Sequence, residues 1–232
     1  MKSQSHFNTI EFNAAIKGMM INNNKTKMMC VSNARTYVLA SYILTTTGER
    51  IETVNSMKIL GFNFNTSPSV KYHLKVLQRK FKSRIWALRH FKRNGFKQNE
   101  LLRVYKSMVR PLAEYCSPVF HTMISQSDSL ELERIQMQAL KGIYGWRLSY
   151  NALLEKSGIE RLEPRRENRF LELAKKMHQS KRFAHWFPLR LNRRPEIRPT
   201  GEKFKIYHAA SERYARSPLN VMRRKLNEFY AQ

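Results

Sequence analysis

The acidic residues set the first limit on the chemistry of this chain. Sixteen of its seventeen acidic residues are glutamates, and Asp128 is the one aspartate. Phosphoryl transfer by two metal ions usually relies on clustered aspartates that hold hard cations close together. One aspartate cannot form such a cluster, and no pair of glutamates stands at the end of a clear predicted strand. We therefore expect that the chain neither polymerises nor cuts nucleic acid unaided.

The other candidates for chemistry have simpler structural explanations. Asp128 lies just before an apolar helical period, so we interpret it as a helix N-cap rather than a catalytic acid. The seven histidines show no ligand spacing, such as a pair one helical turn apart, so no metal site is predicted. Cys30 and Cys116 cannot form a disulfide framework, which favours a reducing compartment, and core packing explains both. Glu114 stands at helical spacing from Arg110 and is predicted to pair with it.

A stripe of cations on one predicted helix is the strongest binding signal. Segment 69–93 carries apolar residues at spacings of three and four, which predicts an amphipathic helix. On a wheel of about 100° per residue, one arc holds the apolar residues Leu74, Leu77, Phe81, Ile85, Leu88 and Phe91. A second arc holds a set that we call the basic stripe: Lys71, Lys75, Arg79, Lys82, Trp86, Arg89 and Arg93. Such a stripe suits a nucleic-acid backbone, because phosphates take the charges and a base or sugar can pack on the ring. The alternative is a solvated helix face with Trp86 packed against a neighbouring element.

The positive charge of the chain is localised. The formal net charge is +26, and residues 71–111 contain thirteen basic residues and one acidic residue. Residues 161–232 contain nineteen basic and seven acidic residues, whereas residues 112–160 contain four basic and six acidic residues. Localised charge is what phosphate neutralisation requires, because each contact releases condensed counterions. We predict a nucleic-acid partner (RNA, DNA or an RNA–DNA hybrid) rather than a membrane, since no basic helix has the pattern of one that lies in lipid. The apolar-rich stretch 37–44 is also too short to cross a bilayer.

The elements that must position these residues divide into a short β-rich part and a long helical part. A helix over 7–20 and strands over 27–32, 37–46, 51–54 and 58–64 predict a small antiparallel sheet carrying one helix. After Ser67 the pattern is helical, and the predicted helices are 69–93, 98–110, 112–124, 129–143, 149–157 and 164–180. A linker over 187–202 precedes a last helix over 208–230 that Pro218 interrupts. The predicted fold class is α+β, mainly α.

Four short motifs, in a fixed order, resemble a known family. Residues 22–27, Asn-Asn-Asn-Lys-Thr-Lys before an apolar strand, resemble the "N..KTK" segment of non-LTR (LINE-type) retrotransposon reverse transcriptases. Residues 59–62, Ile-Leu-Gly-Phe, resemble the "YLG" primer-grip strand of the same family. Residues 101–115 are similar to its thumb pattern "lY.s.vrp.leY", and residues 132–141 to the helix "LE.iQ..alr" that follows. The resemblance covers roughly residues 7–175 and rests on the order and spacing of the motifs.

The resemblance implies a division of the chain and a set of site residues. Residues 1–66 would be a palm-end remnant with the primer-grip strand, 67–160 a helical thumb-like domain, and 161–232 a basic helical C-terminal extension. Leu60, Gly61 and Phe62 would lie under the primer terminus, and the basic stripe would follow the template–primer backbone. Lys25 matches the lysine after the catalytic turn, where such polymerases place a proton donor, and is expected to be vestigial here.

The resemblance also implies what this chain lacks. The catalytic aspartates of the family would lie upstream of Phe7, so the chain is expected to hold the end of the palm and the thumb. It would be a fragment, a truncated element copy or the product of a gene model that starts too late. Mg²⁺ would then be a cofactor of the intact enzyme and not of this chain. The family context and the basic tail together imply an intracellular protein, nuclear or cytoplasmic.

Three functional hypotheses are consistent with these observations. The first is a catalytically incomplete reverse-transcriptase fragment that binds an RNA–DNA template–primer through its phosphates. The second is an enzyme, in which the chain works beside a separate palm or belongs to a longer protein with RNA-directed DNA polymerase activity. The third is a non-catalytic module of a domesticated element, whose basic tail contacts RNA or acidic proteins.

Overall fold

The computed structural model describes residues 2–31, 42–67, 69–189 and 203–231. They fall into two compact units, 1–73 and 74–232. The described chain is predominantly helical and contains two small sheets of two strands each, which confirms the predicted α+β, mainly α, class. The three-segment division at residues 66 and 160 stays a prediction.

The first unit combines one helix with two short strand pairs. Its elements are α1 (Lys2–Ile16), a 3₁₀ turn (Asn23–Lys25), β1 (Lys27–Met28), β2 (Glu52–Thr53), β3 (Ser56–Ile59) and β4 (Phe62–Asn65). β3 and β4 are antiparallel, as predicted, but β1 and β2 are parallel, with Lys27 opposite Glu52. The long stretch of chain between β1 and β2 permits this, because a parallel pair needs a crossover connection.

Several predicted elements of the first unit are shorter or shifted. The predicted strand 27–32 is reduced to β1, and within the described part of the predicted strand 37–46, Leu44 forms one isolated bridge with Arg50. Residues 32–41 lie outside the described part. Helix α1 begins before the predicted residue 7 and ends before residue 20, and its apolar Ile10, Phe12 and Ile16 are exposed while Phe7 is buried. A helix is thus present here, as predicted, but its predicted bounds and its amphipathic character were wrong.

The segment predicted as one strand over 58–64 is a tight hairpin. β3 ends at Ile59 and β4 begins at Phe62, which are paired, so the loop consists of Leu60 and Gly61. Both loop residues have positive φ, 46° for Leu60 and 87° for Gly61, as a type I′ turn requires. The "primer-grip strand" of the sequence prediction is thus the turn of a hairpin.

The second unit is built from helices. Helix α2 begins within the first unit and continues into the second. The helices are α2 (Lys71–Arg93), α3 (Gln98–Val104), α4 (Arg110–Glu114), α5 (Ser117–Phe120), α6 (Gln126–Tyr144), α7 (Tyr150–Ser157), α8 (Leu162–Gln179), α9 (Glu212–Ala215) and α10 (Pro218–Tyr230). Two irregular turns accompany them, a π segment at Tyr105–Val109 and a 3₁₀ turn at Ala184–Trp186. Pro218 stands at the first position of α10, which confirms the predicted interruption.

The predicted helices 98–110 and 112–124 are broken into shorter pieces. The π segment lies just before Pro111, whose missing N–H removes one helical hydrogen bond. Tyr115 then leaves the helix, and Cys116 adopts φ 58° before α5 begins at Ser117, with Pro118 at its second position. Hydrophobic spacing does not reveal these breaks, since the apolar positions continue through them.

The C-terminal helices close on their own apolar cluster. Phe170 and Ala174 of α8 pack with Phe187, Phe204 and Leu226, and the Asn227 side chain binds both the N–H and the carbonyl of Phe204. The predicted linker 187–202 therefore starts too early, because Phe187 is buried and residue 189 pairs with 204. Residues 190–202 lie outside the described part.

Helix α6 begins three residues before the predicted start. Ser125 is its N-cap, and its hydroxyl accepts the backbone N–H of Asp128 at 3.1 Å. The Asp128 carboxylate in turn accepts the Ser125 hydroxyl at 2.6 Å and the Ser125 backbone N–H at 3.3 Å. Asp128 thus completes a capping box at the third helical position and is not the N-cap itself. Asp128 therefore has a structural role, as expected, but at the third helical position instead of the N-cap position.

Candidate nucleic-acid interface

Helix α2 separates its apolar and basic residues as the sequence predicts. Leu74, Leu77, Phe81, Ile85 and Leu88 are all buried. Every member of the basic stripe is exposed: Lys71, Lys75, Arg79, Lys82, Trp86, Arg89 and Arg93. The two faces form because an α-helix returns to the same side every three to four residues.

The cations of α2 lack acidic partners in the described part of the chain. The helix contains nine lysines and arginines and no acidic residue. Among the described residues, no carboxylate forms an ion pair with any of the nine. Lys92, outside the basic stripe, is engaged differently: its Nζ donates to the carbonyls of Gly142 at 2.8 Å and Ile143 at 3.0 Å, near the end of α6. The stripe is left as an uncompensated row of positive charge.

The aromatic member of the stripe is open to solvent. Trp86 is 66% exposed, and its ring stacks on His90 with centroids 5.6 Å apart and planes 12° apart. The predicted alternative is therefore wrong in packing Trp86 against a neighbouring element, whereas a solvated helix face stays an alternative to a binding surface. A flat exposed surface of two rings beside the cations can accept a nucleic-acid base or sugar.

A second exposed tryptophan stands beside the stripe and was not predicted from the sequence. Trp146 follows the end of α6 and is 60% exposed. The guanidinium carbon of Arg89 lies 5.8 Å from the Trp146 ring centroid, and Lys141 Nζ lies 5.9 Å from it. These are cation–π distances, so the contacts fix the ring next to a stripe residue. In the sequence, this tryptophan could be recognised only as an aromatic residue next to the glycine that ends a helix. Such a pair is too common to indicate a binding site.

The predicted primer-grip residues lie in the first unit at the hairpin. Leu60 is 87% exposed at the turn, whereas Phe62 is buried and its ring stacks on His73 with centroids 4.3 Å apart. Phe62 is thus a buried residue of the hairpin, and the primer-grip role of residues 60–62 stays a prediction. Gly61 supplies the second positive φ of the turn.

Lys25 ends the 3₁₀ turn of the first unit. Its backbone N–H donates to Asn22 Oδ1 at 3.1 Å, and its side chain is exposed. The lysine is positioned by an asparagine cap. Its suggested role as a vestigial proton donor stays a prediction.

The cations of the C-terminal segment are largely engaged within the protein. Arg165 Nε and Arg169 Nη2 bind the Glu114 carboxylate at 2.6 and 2.7 Å, and the bond to Glu114 raises the pKa of Arg165. Lys225 pairs with Glu167 at 2.6 Å, and Arg223 donates twice to the Trp186 carbonyl. In the described part of 161–232, these cations hold helices together, in contrast to those of α2.

Residues of the two motif segments 101–115 and 132–141 contact one another inside the second unit. Tyr105 donates to Gln136 Oε1 at 2.5 Å, and Gln136 Nε2 donates to the Tyr150 hydroxyl at 2.9 Å. Tyr150 in turn donates to Glu133 Oε2 at 2.5 Å. Burial raises the pKa of both tyrosines, and the bond to Glu133 raises the pKa of Tyr150 further, so both hydroxyls stay donors. The motif residues form one buried hydrogen-bond network.

The described residues do not fit the Mg²⁺ that the resemblance implies for an intact polymerase. Within 2–31, 42–67, 69–189 and 203–231, no group of three or more His, Cys, Asp or Glu side chains could hold a metal ion. Asp128 is engaged in the capping box of α6. No catalytic step through magnesium is assigned to this chain.

Two further observations bear on partners and relatives. None of the helices in the described part of the chain combines the length and the apolar character needed to cross a membrane. Comparison of the chain with protein-family models, with curated proteins and with solved structures found no match.

Proposed function

We propose that this chain is a catalytically incomplete, polymerase-derived module that binds an RNA–DNA template–primer through the phosphate backbone. The observation that carries the proposal is the exposed row of cations on α2, which has no acidic residue in its helix and no carboxylate partner among the described residues. The order of the four motifs, which resembles LINE-type reverse transcriptases, supports the polymerase origin.

The dimensions of the basic stripe suit a duplex. From Lys71 to Arg93 the helix rises about 33 Å, at about 1.5 Å per residue. A B-form duplex presents one phosphate charge per about 1.7 Å of its axis, so six cations over this length meet an excess of phosphates. Phosphate contacts carry no sequence information, and we therefore expect binding with little sequence preference.

The two exposed tryptophans extend the proposal to unpaired bases. Trp86 and Trp146 flank Arg89, which belongs to the stripe and contacts the Trp146 ring. Base–aromatic stacking is tolerant of sequence because every base has a π-face. A template–primer offers both features, since it contains a duplex and an unpaired template overhang.

A salt titration tests the phosphate-led binding. Binding of a labelled RNA–DNA hybrid to the full chain is measured by fluorescence anisotropy between low and moderate salt, for the native chain and for K75Q/R79Q/K82Q/R89Q. Removing four phosphate contacts should reduce the slope of log K against log salt by about 3 to 4, since each contact contributes about 0.9. A slope that does not change would refute the stripe as the contact surface.

A matched variant separates the stripe from general charge loss. R147Q/K176Q/R182Q/K181Q also removes two arginines and two lysines, all exposed and outside α2. The control should keep most of the native slope. If the control instead lost as much affinity as the stripe variant, binding would not be localised to the basic stripe, and the proposal would be refuted.

A further inference from the structure

Arg89 connects two exposed tryptophans near the C-terminal end of α2. Trp86 and Arg89 are three residues apart on the helix, so their side chains are neighbours on one face. The guanidinium carbon of Arg89 also lies 5.8 Å from the ring centroid of Trp146, which follows the end of α6. These three residues form one surface feature, which we call the aromatic patch.

A hydrogen-bonded contact fixes the end of α6 against α2 beside this patch. Lys92, three residues after Arg89, donates from its Nζ to the carbonyls of Gly142 at 2.8 Å and Ile143 at 3.0 Å. The last carbonyls of a helix have no partner within it and carry partial negative charge, which a lysine stabilises. The backbone from which Trp146 extends is thus anchored to the helix that carries Trp86.

The chain leaves α6 at Gly145, in a conformation that few other residues can adopt. Gly145 has φ 111° and ψ 160°, and its N–H donates to the Lys141 carbonyl at 2.9 Å. This region of backbone conformation is essentially restricted to glycine. Trp146 comes next in the chain, so the direction of its side chain depends on Gly145. The Nζ of Lys141 lies 5.9 Å from the Trp146 ring centroid and adds a second cation–π contact.

Burial does not account for an ordered ring at this place. Trp146 is 60% exposed and Trp86 is 66% exposed, so both rings remain largely in water. A ring that stays in water gains little from the hydrophobic effect, whereas holding it in one position costs conformational entropy. A binding surface gains from rings that are ordered before the ligand arrives, because less entropy is then lost on binding. The contacts around Trp146 thus favour a ligand that stacks on it.

The basic stripe and the aromatic patch suit two different parts of a nucleic acid. Lys75, Arg79 and Lys82 precede the patch along α2 and present positive charge for the phosphates of a duplex. The bases of a duplex are already paired and stacked on each other, whereas unpaired bases are free to stack on protein rings. One ring accepts one base, so the two tryptophans can hold about two unpaired bases.

We propose that the aromatic patch binds the junction between the duplex and the single strand of a template–primer. The duplex lies on Lys75, Arg79 and Lys82, and about two unpaired template bases next to the duplex stack on Trp86 and Trp146. This inference rests on the proposed function and adds to it a fixed position for the junction and a defined length of overhang. Bases farther from the junction lie beyond the two rings and contribute no further stacking.

A series of overhang lengths tests the junction. Binding of the full chain is measured by fluorescence anisotropy at one salt concentration, with RNA–DNA hybrids that share one duplex and carry template overhangs from none to about six nucleotides. We expect the affinity to rise by about fivefold or more for each of roughly the first two nucleotides and then to stay constant. An overhang of two abasic nucleotides keeps the phosphates and should lose most of this gain. An equal gain from the abasic overhang, or a gain that continues with length, would overturn the inference.

Intrinsic fluorescence locates the stacked bases. The chain contains three tryptophans, and W186F removes the one outside the patch. On that background, W146F leaves Trp86 as the reporter and W86F leaves Trp146. The overhang with bases should quench each reporter more than the abasic overhang does. Equal quenching of Trp146 by the two overhangs would contradict stacking on its ring.

Two glycine substitutions test whether the position of Trp146 is set by the end of α6. Gly145 and Gly158 both end helices with positive φ, 111° and 60°, and an added Cβ would have no atom within 4 Å at either residue. G145A should reduce the gain from the overhang by about fivefold, with the salt slope unchanged, because it displaces one ring. G158A introduces comparable strain outside the patch and should keep the gain. Equal gains in the two variants would refute Gly145 as a positioning residue.

The stripe variant separates a failure of this inference from a failure of the proposed function. If K75Q/R79Q/K82Q/R89Q lowers the salt slope but the overhang adds no affinity to the native chain, the basic stripe binds duplex and the junction site is refuted. A native chain that does not bind the hybrid at all would refute both proposals.

Discussion

Arg165 on α8 donates from its Nε to Glu114 Oε1 on α4 across 2.6 Å, and Glu114 is only 4% exposed. The same carboxylate accepts Arg169 at 2.7 Å and lies 3.4 Å from Arg110 Nε. Helical spacing predicted only the local pair with Arg110. One buried carboxylate thus joins the segment after the π turn to a helix about fifty residues later.

The first prediction concerns this buried carboxylate. E114Q should lower the free energy of unfolding by about 3 to 5 kcal/mol, because it leaves arginines packed against a neutral group that no longer balances their charge. Chemical denaturation of the full chain, followed by circular dichroism, gives the value. E131Q removes the exposed partner of Arg134 and should cost about 0.5 kcal/mol or less. Equal effects of the two variants would show that Glu114 is not an anchor.

The second prediction concerns the two exposed tryptophans. W86A and W146A should each weaken binding of a hybrid with an unpaired template overhang by about 1 to 3 kcal/mol, the range for one base stacked on one ring. The slope against salt should not change, since no phosphate contact is lost. Y214A, which removes another exposed aromatic side chain, serves as the control. An unaltered affinity for the overhang in both tryptophan variants would exclude stacking at this surface.

The third prediction concerns the dependence of stability on pH. Burial, Arg166 and Lys225 lower the pKa of His121 below 6.5, and Glu167 opposes them less strongly. Between the folded pKa and 6.5 the unfolded chain binds more protons, so stability is greatest above pH 6.5 and falls on acidification. One histidine contributes a slope of at most about 1.4 kcal/mol per pH unit in this window.

Substitution identifies the titrating group. H121Q should flatten the loss of stability below pH 6.5, measured by denaturant unfolding at a series of pH values. Part of the slope should remain, because burial also lowers the pKa of His178. The same substitution at exposed His185 is the matched control. If H121Q left the profile as steep as in the native chain, His121 would not be the group responsible.

The fourth prediction concerns the hairpin turn. Leu60 has φ 46°, a left-handed conformation that costs a residue with a branched side chain about 1 to 2 kcal/mol. Asparagine is favoured before glycine in such turns, so L60N should stabilise the hairpin by about 0.5 to 1 kcal/mol. Hydrogen exchange at residues 56–65 reports this directly. M20N replaces another exposed apolar residue outside the turn and should leave that exchange unchanged.

The fifth prediction concerns catalysis. The full chain contains one aspartate, which is held in a helix cap, so primer extension with Mg²⁺ on an RNA template should yield no product. The test uses the native chain at concentrations that saturate the template–primer. Synthesis that follows the purified chain through fractionation would contradict the inference from the aspartate count.

The local pattern of residue types along the sequence was enough to predict much of the fold. The period of three and four predicted the helix α2, with a start two residues too early, and its buried face, because side-chain direction within one helix depends only on residue spacing. The interruption at Pro218 and the helical character after residue 67 were also predictable, as proline chemistry is local. Leu60-Gly61 carried a weaker turn signal, since leucine is an unusual residue for a left-handed position.

Only the tertiary structure decided which distant residues meet. Arg89 reaches the ring of Trp146, Arg165 reaches Glu114, and Arg166 is buried with two donors unused among the described residues, although none of these relations follows from spacing along the chain. Composition and charge determined that this protein is basic and that its cations are clustered. Which cations stay exposed, and which hold helices together, depends on how helices pack, and packing is set by side chains far apart in sequence.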